Sequence, residues 1–207
     1  MSAGTSRGAR GLGVLGVGLA GALPAGSSYA GLAAQAAPAE EGDGPTLSPM
    51  LRRERKVRVI VEATHRALRA VRDRPGALRR CGFVLATRYD GRPANLLDPG
   101  GGGVVSFGDL SPSTVALSLV PHVAASCVLS LYRLQGPALS LASRDGLAAA
   151  WRIAERWMVR APGPILLVES DLAMPSATGK GPAEDYALAV LVARPEDPLN
   201  DDHGGSK

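Results

Sequence analysis

The feature that most constrains this chain is a set of short runs with apolar residues at nearly every position. Cys81–Thr87 reads CGFVLAT, Pro164–Glu169 reads PILLVE and Tyr186–Ala193 reads YALAVLVA. No polar residue alternates through them, so neither face of such a strand is suited to water. Runs this short, apolar on both sides, fit strands of a sheet covered by helices on both faces. Leu12–Leu19 is a further candidate strand, and Ala138–Ala142 follows Gly136–Pro137 as another. Between the runs the period changes. In Leu51–Val71, the residues Val57, Ile60, Val61, Thr64, Leu68 and Val71 recur at three- and four-residue spacing, with Arg58, Glu62, Arg66 and Arg69 on other faces. Pro75 and Gly76 are expected to end that helix. Gly146–Val159 is a second amphipathic helix, with Leu147, Ala150, Ile153, Ala154, Trp157 and Met158 inward. From Ser111 a mostly apolar stretch reads as a loop to Pro121 and then a buried helix to Tyr132. Ser27–Ala34 reads as a short helix capped by Ser27 or Ser28. Strands alternating with helices predict one α/β domain with a mainly parallel buried sheet over 11–195. Residues 1–10 are expected to be a disordered leader and 196–207 a disordered tail.

Composition narrows the function. With 45% apolar and 20% charged residues among 207, the chain has enough material for a core, which excludes wholesale disorder. Cys81 and Cys127 are too few for a disulfide framework and lie in no CxxC pattern. Each reads as a small buried hydrophobe. His65, His122 and His203 are far apart in sequence, so no metal site and no cofactor is expected. The net charge is +4, with basic residues gathered between Arg52 and Arg80. At 4% aromatics the chain lacks the stacking platforms of a single-strand nucleic-acid binder, so no nucleic acid is expected. The basic stripe reads as a solvated face, or as a landing surface for an acidic partner.

Three further patterns carry competing readings. Gly11–Gly26 follows Arg7 and Arg10 and looks like a secretory signal, which would make the protein exported. Its five glycines suit a signal helix poorly, and it is too short and too glycine-rich to span a bilayer. The same segment spells Gly11-x-Gly13-x-x-Gly16, a dinucleotide fingerprint. That motif needs a strand before it and a helix after it, whereas here Gly18, Gly21 and Pro24 follow. The glycines therefore belong inside the first strand. Glu169 and Asp171 stand two apart on a strand and share a face; they read as an exposed strand end rather than a working carboxylate pair.

In order and spacing, these segments resemble the N-terminal half of a β-ketoacyl synthase. Leu12–Gly26 (LGVLGVGLAGALPAG) is similar to the family's opening strand and glycine-rich turn, usually GxGxxSPxG. Arg53–Val71 stands where the family has its first long amphipathic helix, followed by the strand Gly82–Thr87. Val120–Pro137 (VPHVAASCVLSLYRLQGP) is similar to the helix that ends in a GP turn. Ala138–Trp151 and Pro164–Ala173 match the nucleophile strand, its helix and the next strand, and Tyr186–Arg194 the strand that closes the half. The resemblance implies a thiolase-like N-terminal half with a mixed, mainly parallel sheet and helices packed on it.

The departures from the family bear on activity. A working ketosynthase reads T-A-C-[AS]-S after the GP turn, with the cysteine at a helix start that favours thiolate. Here the chain reads LSLASRDG over Leu139–Gly146. Counting from Gly136–Pro137 puts Asp145 at the cysteine position; anchoring on the helix-opening glycine puts Ser143 there. The two histidines of the family's C-terminal half have no counterpart, and His203 matches neither motif. The resemblance therefore implies a non-catalytic accessory subunit of the chain-length-factor type. Its partner would be a full-length ketosynthase or a second copy, with an acyl carrier protein possible and the cytoplasm as location. The interface would be Leu139, Ser140, Leu141 and Ala142, and an apolar sheet face left open by the missing half would favour such a partner. A second reading is an acyltransferase or decarboxylase acting through Ser143 or Asp145, for which His122 would have to supply the base.

Overall fold

The computed structural model describes residues 11–38, 45–53, 55–87, 123–160, 163–171 and 184–195. The expected leader, tail and loop over 90–103 lie outside the described residues, as do His122 and His203. Among the described residues five strands form one sheet: β1 Gly13–Ala20, β2 Gly82–Thr87, β3 Ala138–Ala142, β4 Ile165–Asp171 and β5 Tyr186–Ala193. Their order is β1-β5-β4-β2-β3. β2 lies parallel to both β3 and β4, while β5 is antiparallel to both β4 and β1. β5 alone therefore runs against the other four. The sheet is mixed, as expected: four strands share one direction, and its four pairings are two parallel and two antiparallel.

The apolar runs form strands because both sheet faces are covered. Phe83 and Leu85 of β2, Leu166 and Val168 of β4, and Ala189 and Leu191 of β5 point to one face. Val84 and Ala86, Ile165 and Leu167, and Leu188, Val190 and Val192 point to the other. This strict alternation puts every second side chain into a different core. Full burial of a side chain the size of Phe83 or Leu85 stabilises by about 1.5–3 kcal/mol.

Helices cover the two faces. Among the described residues they are α1 Ala30–Ala33, α2 Pro49–Arg53, α3 Arg55–Leu68, α4 Pro75–Arg80, α5 Val123–Tyr132 and α6 Gly146–Met158. α3 and α5 lie on the first face, and α6 on the second with the residues around α1. α3 packs on β1, β5 and β4. Its approach to β1 is close. A Cβ added at Gly16 or Gly18 would overlap the backbone carbonyls of Ala67 and Ala63. Of the dinucleotide-like spelling, Gly16 thus serves helix-on-strand packing inside β1, as does the later Gly18, while an added Cβ at Gly11 would meet nothing.

Several local expectations are corrected. The long helix ends before Pro75 as expected, through a 3-10 turn at Arg69–Val71, but Pro75 then opens a further helix, α4, from its first turn. Proline is suited to that position because the N–H it lacks would have no helical partner. Neither Ser27 nor Ser28 caps α1; Tyr29 holds the cap position without a side-chain bond, and Ser27 Oγ accepts the Tyr29 N–H at 3.3 Å. The open apolar sheet face is not found either. Among the described residues the large apolar side chains that stand exposed are Val14, Leu139 and Val159. No helix among the described residues is long and apolar enough to cross a membrane.

Candidate functional site

The ends of three strands and the start of one helix converge at a single place. Ala86 and Thr87 finish β2, Glu169, Ser170 and Asp171 finish β4, and Tyr186 begins β5. With Ser143 and Gly146 at the head of α6, they surround a polar void too tight for a water molecule. A helix start is electrostatically special, because its first N–H groups lack helical partners and carry the positive end of the dipole.

Glu169 answers that charge. Its Oε2 accepts the backbone N–H of Leu147 at 2.6 Å, and its Oε1 accepts the Tyr186 hydroxyl at 2.7 Å. The next N–H, from Ala148, donates to the Tyr29 hydroxyl at 3.0 Å. Gly146 makes this possible in two ways. Its φ of +49° lies in the left-handed region that favours glycine, and an added Cβ would overlap the Glu169 carboxylate. Ser170 Oγ donates to the Tyr186 carbonyl at 3.1 Å, which ties β4 to β5 beside the void.

The residues singled out in the sequence separate here. Ser143 lines the void; its N–H donates to the Thr87 carbonyl at 3.1 Å, and its Oγ accepts the Asp145 N–H at 3.1 Å. Asp145 occupies the cap position of α6, yet its side chain makes no cap bond. Its Oδ2 instead pairs with Arg152 at 2.7 Å, both side chains being more than half exposed. Glu169 and Asp171 do share a face, but they are not an exposed strand end. Asp171 is only 3% exposed and Glu169 is half-buried. His65 lies on α3, across the sheet, with Nδ1 at 3.2 Å from the Tyr132 hydroxyl.

Both cysteines are distant from this void. Cys81 is fully buried at the entry to β2, and desolvation pushes its thiol up to about 12, against a smaller lowering by the Leu166 backbone. Cys127 on α5 is half-buried, and burial raises its thiol as well. Part of the basic stripe is tied into the fold. Arg55 holds Asp185 through a two-point pair, Arg66 holds Glu62 and the Leu19 carbonyl, and Arg69 donates to the Pro38 carbonyl at 3.0 Å. Arg58, Arg72, Arg74, Arg79 and Arg80 stand exposed.

Among the described residues β3 forms one edge of the sheet, bonded to β2 on one side. Ala138, Leu139 and Ala142 are exposed along it, and Leu141 packs against the core beneath α6. Ser140 Oγ is shielded from water with no hydrogen-bond partner.

Neither a family model nor a curated protein matches the sequence. Solved structures do. A ketosynthase in complex with its chain length factor from Xenorhabdus doucetiae aligns with a TM-score of 0.55 at 14% identity, over 88% of this chain and 79% of that chain. A type II polyketide synthase acyl-carrier protein in complex with its ketosynthase bound to the hexaketide aligns with a TM-score of 0.54 at 17% identity, over 74% of this chain and 50% of that chain. The chain has the thiolase-like fold. It spans half the length of the second of these neighbours. The thiolase-like sheet accounts for the segment order that the sequence displays. It does not make Glu169 visible in advance. The carboxylate was noticed by its spacing from Asp171, but its partners Leu147 and Tyr186 lie 22 and 17 residues away.

Proposed function

We propose that this protein is a non-catalytic ketosynthase-like subunit of the chain-length-factor type, which pairs with an active ketosynthase in a polyketide, aryl-polyene or fatty-acid-like biosynthetic system. One observation carries the reading: the head of α6 holds a carboxylate and no thiol. Acyl transfer by this kind of site needs a nucleophile whose anion the helix start stabilises. Ser143 and Asp145 stand at the two candidate positions for it. Asp145 faces solvent against Arg152, and the hydroxyl of Ser143 is held by the turn. Pairing is assigned to Leu139–Ala142, since an edge strand with exposed backbone groups is a template for another strand. The exposed arginines Arg58, Arg72, Arg74, Arg79 and Arg80 suit an acidic acyl carrier protein. A cytoplasmic location belongs to the same proposal.

The test is a tagged pull-down from the native producer with intact-mass identification. A full-length ketosynthase at one-to-one ratio is the expected result. A lone folded chain overturns the pairing. The same sample, given acyl-carrier thioesters, should show no covalent mass gain. A gain that Ser143→Ala abolishes turns the assignment to an acyltransferase or decarboxylase.

A further inference from the structure

We infer that Glu169 is an internal anion that occupies the head of α6 and withholds the Leu147 N–H from any acyl oxygen or thiolate at positions 143–146. The inference goes beyond subunit pairing and does not depend on it. Four features of the fold converge on this residue. The Leu147 N–H, one of the orphan donors at the head of α6, already ends on Glu169 Oε2. The other oxygen is pinned by the Tyr186 hydroxyl, so the carboxylate is held from two directions. Gly146 has no side chain to displace it. Ser143 and Gly146 line the same polar recess as Glu169, so the carboxylate stands beside the positions in question.

The consequence is chemical. A helix start lowers the pKa of a nearby thiol from about 8.5 by favouring its anion. A fixed carboxylate at the same helix start cancels that effect, because two anions compete for one positive site. The site is thus closed to thiolate chemistry by Glu169, independently of which residue stands at 143 or 145. Restoring a cysteine would not by itself restore an activated thiol.

The experiment introduces the thiol and then removes the charge. Ser143→Cys is made in the full chain with Cys127→Ala, leaving the buried Cys81 as an inert background. The pH midpoint of its alkylation by iodoacetamide is measured with and without Glu169→Gln, which keeps the shape and a carbonyl acceptor. The expected result is a midpoint near that of an ordinary thiol with Glu169 present, and one lower by at least about one unit with Gln. Equal midpoints overturn the inference. A merely structural role for Glu169 would alter stability and leave the midpoint unmoved. If the double variant does not fold, Glu169→Ala is refolded with sodium formate as the probe. A saturable rise in melting temperature with formate, absent in the native chain, supports an anion position; no rise overturns it.

Discussion

Cys81 sits where a thiolate is strongly disfavoured. Below pH 9 its thiol is neutral in both the folded and the unfolded chain, so it contributes no pH dependence. Between 9 and about 12 the unfolded chain releases this proton while the folded chain keeps it. Stability therefore falls as pH rises through that window. Urea midpoints of the native chain and Cys81→Ala, compared from pH 8 to 11, should converge as the pH rises. A constant difference would mean that the thiol is not shielded in the folded protein. The burial of Cys81 was legible in the sequence, because it opens an apolar run. The half-burial of Glu169 was not. Whether a carboxylate at a strand end meets water depends on which helix start arrives beside it, and no local pattern near position 169 encodes the arrival of Leu147.

Among the elements, β1 and α3 are the pair most sensitive to small changes. The helix backbone lies directly over Gly16 and Gly18, with the small residues Ala63 and Ala67 beneath. Gly18→Ala forces a methyl group against the Ala63 carbonyl, and the expected cost is about 1–3 kcal/mol or more, read as a lower thermal midpoint. Gly11→Ala, whose added Cβ meets nothing, is the control and should leave that midpoint nearly unchanged. Equal effects from both would count against close packing of α3 on β1. The strands themselves were readable to within a residue or two, since runs apolar on both faces have few other uses. The function of their glycines was not, because the same spelling suits a phosphate turn and a close helix contact. Only the preceding and following elements decide between them. α4 escaped notice for a related reason: Pro75 both stops one helix and starts the next.

At the scale of the whole molecule, β3 sets what the proposed pairing can be. Leu139 is 38% exposed on the edge strand, while Leu141 is partly buried in the core under α6. An acidic group at Leu139 should therefore weaken association with a ketosynthase at least tenfold, about 1.4 kcal/mol, with little change in melting temperature. Leu141→Asp should lower both, so it is the poorer probe. Sedimentation of Leu139→Asp mixed with its partner checks this, and unchanged association would remove β3 from the interface.

The two rims of the sheet are not alike. Along β1 the Val17 carbonyl is already taken by the Ala37 N–H at 3.1 Å, so the chain drapes part of that border with its own backbone. Along β3 Leu139 and Ala142 stand uncovered. Under the proposed pairing, the uncovered β3 border is the one that receives a neighbour, while the β1 border offers one acceptor fewer.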